Sequence, residues 1–382
     1  MILIIGTAIP VEAGTRSNRE AQAAGNYMAE IMDLIMTRYM GDPVTIEALF
    51  EGALRGMTDI LDQYSIYLSA AELAQFTEAL TGRLVGIGVS IATLADGRTE
   101  IVRVLPDTPA QEAGILPGDI IISVDGINVS GMSRDAIVAL ITNPDTERVL
   151  ISIERGGYPI TFDILKAVIQ SPTVITERLE LISEAYGLAG DLHYFRYMQI
   201  NSVGLATGND VRRAIERMQS EDVQGIILDL RGNTGGYLDV TVDIANQLVP
   251  QGVILQTVNR AGRRRTYSSV LPEPPFNNIV VLVNRFTASA AEVIASALQD
   301  SGAAIIVGEP TFGKGLVQSV YTLQTGGALK LTTEEYFRRN GGTINDIGVI
   351  PCIHVERRIN LDEQDHTLRR GLELLLQGGG VR

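Results

Sequence analysis

Cysteine and tryptophan are the scarcest residues of this chain: Cys352 is the one cysteine, and tryptophan is absent, among 382 residues. A lone cysteine excludes an internal disulfide and a cysteine-rich metal site. The three histidines, His193, His354 and His366, are scattered and show no HExxH-like spacing, so neither zinc nor any other metal or cofactor is expected. Basic residues are outnumbered, 31 Lys and Arg against 45 Asp and Glu, for a net charge of −14. That balance argues against a nucleic-acid partner. Hydrophobic residues at 45% and charged residues at 20% argue against an acidic disordered chain. No Walker sequence, GxGxxG or GxSxG occurs, and no apolar run reaches the roughly 20 residues of a membrane span.

What is present divides into segments, and the length suits two or three domains. Residues 1–16 open with MILIIG and continue to Val11-Glu12-Ala13, small residues at the positions a leader peptidase reads. They read as the remnant of a signal or anchor, which implies an extracytoplasmic protein, with a buried N-terminal strand as the rival. Residues 17–80 read as helices, broken at Gly41-Asp42-Pro43, with DQYSIYLSAAEL turning into a further short helix. No side chain there suggests chemistry, and packing or homodimerisation is the expected role. From Gly82 the period becomes two, with strands such as VGIGVSIA and GDIIISVDG interrupted by PAQEAG and SRDAIVALI. This small β-rich block spans 82–165. Residues 166–355 then alternate apolar strands with helical runs, the pattern of an α/β layer, and 356–382 read as a charged helical tail. The expected class is α/β and multidomain.

In the middle block Gly86 and Gly88 leave backbone N–H groups free to receive a terminal carboxylate, and the adjacent strand edge can accept an extended peptide. Ile87, Val89, Ile137 and Leu140 would line an apolar pocket. GRLVGIGVSI and DTPAQEAGILPGDIIISVDG resemble a PDZ domain of the circularly permuted bacterial kind.

Three stretches of the α/β block carry polar residues at strand ends, where open sheets place their sites. GIILDLRGNTGG ends an apolar strand in glycines whose N–H groups could face an oxyanion or a phosphate. RFTASAAEVIASALQD places Ser289 in the first turn of a helix, as a cap or as a nucleophile. Thr287 would cap equally well, which leaves Ser289 free, and the Ala290 N–H lies beside it. EPTFGKGLVQ puts Lys314 between two glycines, with Glu309 the nearby acid and Gln318 on the same face of the following strand. A buried lysine loses its charge and becomes a base, and an amide can hold the neutral amine. By residues alone, Lys314 deprotonating Ser289 competes with a lysine that merely sits on a loop.

The order of helical segment, PDZ-like block, LDLRGNTGG, TASAAE and GEPTFGKGLVQ resembles the C-terminal processing, or tail-specific, proteases over roughly residues 25–355. The resemblance implies a serine endopeptidase of Ser–Lys type, with Ser289 as nucleophile, Lys314 as general base and Gln318 orienting the lysine. Ala290 and Gly235 would supply the oxyanion hole, and protein or peptide substrates would be recognised by accessible C-termini. Ala291 stands where the family commonly has a second serine, and Pro351-Cys352 where it has Pro-Asp. Asp300, past the serine helix, reads as structural. Two rivals are a non-catalytic PDZ scaffold on a protease-like fold and a hydrolase using one of the three histidines.

Overall fold

The computed structural model describes residues 2–6, 15–81, 83–94, 97–105, 107–132, 134–143, 145–170, 172–179, 192–324, 326–355 and 365–377. They form two compact units, Thr81–Pro172 and the remainder of the chain. The N-terminal stretch supplies β1 (Ile2–Gly6), α1 (Thr15–Arg38), α2 (Ile46–Asp59), β2 (Ile66–Leu68) and α3 (Ala70–Thr81). The small unit holds β3 (Arg83–Gly86), β4 (Val89–Thr93), β5 (Thr99–Val104), α4 (Pro109–Ala113), β6 (Ile120–Val124), β7 (Ile127–Asn128), α5 (Arg134–Ile141), β8 (Arg148–Arg155), β9 (Tyr158–Leu165) and β10 (Ala167–Gln170). The chain then returns to the large unit through β11 (Val174–Arg178), β12 (Phe195–Ile200), α6 (Thr207–Ser220), β13 (Gly225–Asp229), β14 (Gly236–Tyr237) and α7 (Leu238–Leu248). It ends with β15 (Gly252–Asn259), β16 (Arg264–Ser269), β17 (Asn278–Val283), α8 (Ala290–Asp300), β18 (Ile305–Gly308), β19 (Leu316–Thr322), β20 (Ala328–Arg338), β21 (Ile353–His354) and α9 (His366–Leu376).

Two sheets build the large unit. One runs β11-β12-β13-β17-β18-β21, parallel throughout except at β11. Every residue of β13 is buried, because helices cover both faces of this sheet. Ile226 and Leu228 face the core beneath α6, α7 and α8, while Ile227 faces a second cluster beneath α9, as the two-residue period requires. The other sheet runs β14-β1-β19-β20-β15-β16, with β2 added on β20. Serine helix α8 packs between the sheets, buried along residues 290–298.

The C-terminal stretch is helical over His366–Leu376, and Leu368, Leu372 and Leu375, at helical spacing, bury α9 against Ile227, Val280 and Leu282. Two expectations from the sequence change here. DQYSIYLSAAEL contributes a strand before its helix, β2, whose Tyr67 and Leu68 are buried. A strand of three residues has too short a period to register in sequence. At the start, Ile2–Gly6 pairs with β19 and β14 as a strand, the rival of the leader remnant. Residues 7–14, with Val11-Glu12-Ala13, lie outside the described residues. Among the described residues no helix is long and apolar enough to cross a membrane.

The small unit is built around a five-stranded path, β4-β5-β6-β8-β9, with β7 on β6 and a separate β3–β10 pair. Its core comprises Ile101, Ile121, Val124, Ile137, Ile151 and Ile153 among others, closed by α5.

Candidate active site

β13 delivers the first side of the site. Past Asp229 the chain turns through Arg231, whose guanidinium binds Asp229 and also Asp365 at the cap of α9. Burial opposes the charge of Arg231, but the two carboxylates prevail and hold it firmly protonated. Tyr197 donates to the same Asp229 at 2.8 Å. Arg231 is therefore a structural tie of the RGNTGG loop. Asn233 is fully buried: its amide donates to Ile200 O at 2.8 Å, and its carbonyl oxygen accepts from Gly235 N–H at 2.8 Å. The Gly235 N–H, expected in the oxyanion hole, is thus engaged by Asn233 in this structure. A side-chain amide two residues upstream competes for that donor, as Asx-type turns do.

Ser289 caps α8 with φ 60° and ψ −115°, a backbone conformation that L-residues rarely hold. Its side chain is buried, and Oγ makes no hydrogen bond. Capping is therefore not what the hydroxyl does. Thr287 does not cap the helix either: its hydroxyl donates to Leu230 O at 2.9 Å and accepts from Asn284 N at 3.0 Å, pinning the turn to the end of β13. Ala290, fully buried, begins the helix, where N–H groups have no intrahelical acceptor.

The backbone of Ser289 is held by two side chains the sequence did not single out. Glu292, fully buried, accepts from Ser289 N at 2.6 Å, Gly313 N at 2.7 Å, Lys314 N at 2.9 Å and the Thr311 hydroxyl at 2.5 Å. Tyr336, from β20, points its hydroxyl at Ser289 O at 3.2 Å and at Lys314 O. One carboxylate thus gathers N–H groups, and one phenol addresses carbonyls, of both the serine turn and the lysine loop. Glu309, the acid nearest Lys314 in sequence, has no part in this.

The two glycines beside Lys314 have physical reasons. Gly313 has φ +87°, and a Cβ on Gly315 would come within 2.6 Å of Asn345 N. Lys314 is 7% exposed. Burial, with the charge of Lys330 second, lowers its pKa from 10.5 to about 8 against the pull of Asp62 and Glu292. No hydrogen bond joins Nζ to Ser289 Oγ; the amine sits 4.1 Å from the ring centroid of Tyr64. Gln318 is fully buried on β19, donating to Thr332 Oγ1 at 3.2 Å while its Oε1 has no partner. Asp300 pairs with Arg338 at 2.5 Å.

The histidines lie elsewhere: His193 stacks edge-on with Tyr194, His354 ends β21, and His366 opens α9. Among the described residues no group of His, Cys, Asp and Glu is arranged to hold a metal.

In the small unit a groove of about 190 Å³ has Gly86, Ile87, Gly88 and Val89 in its lining. Its helical wall is Val138, Ile141 and Thr142, not Ile137 and Leu140. Ile137 points into the core and Leu140 packs against it, so the helix is turned by one residue from the sequence expectation. An apolar run such as AIVALI presents apolar groups on either phase, which is why spacing alone misplaces the face. Gly88 has φ +87°, and a Cβ there would lie 2.4 Å from Thr108.

One unit carries an apolar groove, and the other buries Ser289 and Lys314 on two chain segments that Glu292 joins. Residues 195–355 match the model of peptidase family S41, and 100–155 that of the PDZ domain. The carboxy-terminal-processing protease of Bartonella bacilliformis is 32% identical over 86% of this chain and 74% of its own. Carboxy-terminal processing protease CtpB of Bacillus subtilis is 30% identical over 92% and 71%. Among solved structures, a photosystem II D1 C-terminal processing protease aligns over 88% of this chain and 89% of its own, at TM-score 0.53 and 28% identity. The chain belongs to peptidase family S41, with its carboxy-terminal-processing proteases, and is a serine-type peptidase.

Burying an ammonium at Lys314 costs stability in a pH-dependent way. Below pH 8 folded and unfolded chains both carry the proton, so the cost is fully present; between 8 and 10.5 the folded chain releases it first and stability rises. Lys314→Met is therefore expected to be more stable than the parent at pH 7, by on the order of 1–3 kcal/mol. Urea melts at pH 7 and pH 10 check this, with the gap closing at the higher pH; equal stability at pH 7 would contradict a dry amine.

Proposed function

We propose that Ser289 is the nucleophile, Lys314 its general base and Gln318 the residue that orients the lysine, in hydrolysis of peptide bonds. What carries this is the joint clamp of Glu292 and Tyr336 on the backbones of Ser289 and Lys314, with a buried serine hydroxyl left unpartnered beside them. The neutral amine takes the Oγ proton as Oγ adds to the scissile carbonyl carbon. The C–N bond breaks as the ammonium returns that proton to the leaving amine. Water, deprotonated by the same amine, then adds to the acyl ester, and Oγ leaves with the proton. Ala290 N–H, at the helix start, faces the developing oxyanion; Gly235 could join it only by releasing Asn233. No metal or cofactor enters the scheme.

Substrates are proteins or peptides, held by a free C-terminus in the groove of the small unit. Its Gly86–Val89 edge offers N–H groups for the carboxylate, and Val138 and Ile141 an apolar wall for the last side chain. The test uses an unstructured fluorogenic polypeptide ending in three apolar residues, with a free or an amidated terminus. Expected are loss of at least about a thousandfold in kcat/KM for Ser289→Ala and for Lys314→Ala, preference for the free terminus, and an acid limb of kcat/KM near pH 8. Cleavage retained by Ser289→Ala refutes the nucleophile; equal rates on both termini refute terminal recognition.

A homodimer through the N-terminal helices is the second part of the proposal. Tyr27, Ile31 and Leu34 line one stripe of α1 at helical spacing and stand 54–70% exposed, and Phe50 and Met57 of α2 are exposed too. Sedimentation should show two chains per particle, and one for Ile31→Asp/Leu34→Asp; a parent that sediments as one chain ends the idea.

An extracytoplasmic setting rests on the apolar opening followed by Val11-Glu12-Ala13. Mass analysis of the mature protein is expected to find a chain starting at Gly14. A mature chain that retains Ile2–Gly6 would favour the strand seen here.

A further inference from the structure

The Asp62–Ser65 turn, between α2 and β2, reaches the lysine and the glutamine together. Asp62 accepts from the Tyr64 and Ser65 N–H groups at 2.9 and 3.1 Å, from the Ser65 hydroxyl at 2.8 Å, and from the Thr332 hydroxyl at 3.0 Å. Thr332 also donates its N–H to Ser65 Oγ at 3.0 Å. The turn is thus keyed to β20 at the residue that receives the Gln318 amide. With the NH2 of Gln318 so occupied, its buried Oε1 is left as an acceptor with no donor among the described residues. From the same turn, the half-buried Tyr64 lays its ring against the Lys314 amine.

We propose that Tyr64 is a positioning residue of the peptidase site, its ring seating the Lys314 amine and shielding it from water while its own turn sets the Gln318 amide. This rests on Lys314 being the base. An aromatic face acts on an amine in two opposed ways. It excludes water, which disfavours the ammonium, and its π-cloud attracts the ammonium. Other charged or titratable groups acting on Lys314 are Lys330 of β20, Asp62 of the turn and Glu292 of α8; Asp346, in the loop after β20, acts on Tyr64. Asp62 works against dryness, but it is already committed. Burial pushes its carboxyl up, and the Ser65, Tyr64 and Thr332 hydrogen bonds more than offset this, holding it below the usual carboxylate range.

Three substitutions separate the two effects. Tyr64→Phe keeps ring and shield, and its acid limb of kcat/KM should coincide with the parent's near pH 8. Tyr64→Leu keeps a shield without a π-face, so the limb should move to lower pH, by about half a pH unit. Tyr64→Ala admits water, so the limb should move to higher pH, by about one unit, with kcat/KM at pH 7 falling about tenfold. The amine is read separately by the pH dependence of its acetylation with acetic anhydride in Ser289→Ala, followed by peptide mass spectrometry. Midpoints that shift in opposite directions for Leu and Ala support the seat. Midpoints equal in all variants, or displaced the same way in both, overturn it. Midpoints that shift while the kcat/KM limb stays put overturn Lys314 as base, and the positioning role with it. Should Tyr64→Ala not fold, the Leu and Phe pair decides: a Leu midpoint at the parent's position overturns the proposal.

Discussion

Everything at this site depends on one buried carboxylate. Glu292 receives four donors, from Ser289, Thr311, Gly313 and Lys314, which is close to the full capacity of its two oxygens. An isolated charge in that position would be prohibitive; satisfied fourfold, it becomes a joint that two chain segments share. The rare backbone conformation of Ser289, worth on the order of 1–3 kcal/mol of strain, persists because this joint and Tyr336 hold it on both its N–H and C=O sides. Thr311 extends the joint, accepting from Val349 N while donating to Glu292. The serine turn and the lysine loop are consequently one rigid body at the backbone, whatever their side chains do.

That rigidity leaves the side-chain electrostatics to be set by exclusion. No carboxylate among the described residues hydrogen-bonds the Lys314 amine, and the strongest influence on it is loss of water, with Lys330 adding a like charge. The acid that could cancel this, Asp62, spends its lone pairs on Ser65, Tyr64 and Thr332. Glu292, the other acid near the lysine, is engaged through backbone N–H groups. Both carboxylates serve structure, and the pKa of the amine stays down at about 8 instead of its ordinary 10.5. The ion cluster of Arg231, Asp229 and Asp365 plays the corresponding part on the far side, tying the glycine loop to the C-terminal helix.

The helical N-terminal segment reaches this site in a way its composition conceals. Its connection to the sheet is the Asp62–Ser65 turn and β2, so the part of the chain that reads as mere packing material carries the contact to Lys314. The exposed stripe on α1 and the turn after α2, which lays Tyr64 against Lys314, are different surfaces of one segment.

Much was readable in the chain itself. Periodicity separated the helical, β-rich and α/β stretches, since a period of two or 3.6 is a local property. The glycines at 313 and 315, and the serine at a strand-to-helix junction, marked the site because each answers a backbone demand made within a few residues. Tertiary structure alone decided the partners. Glu292 looked like one more helix residue until residues 311–314 folded onto it. Gly235 looked free until Asn233 took its N–H, Ile137 and Val138 were indistinguishable until α5 docked, and Tyr64 had no visible role until β20 brought Thr332 beside its turn. Local spacing records what a residue can do; which distant group meets it is settled only when the core packs, because that choice is made by shape and desolvation between segments up to 270 residues apart.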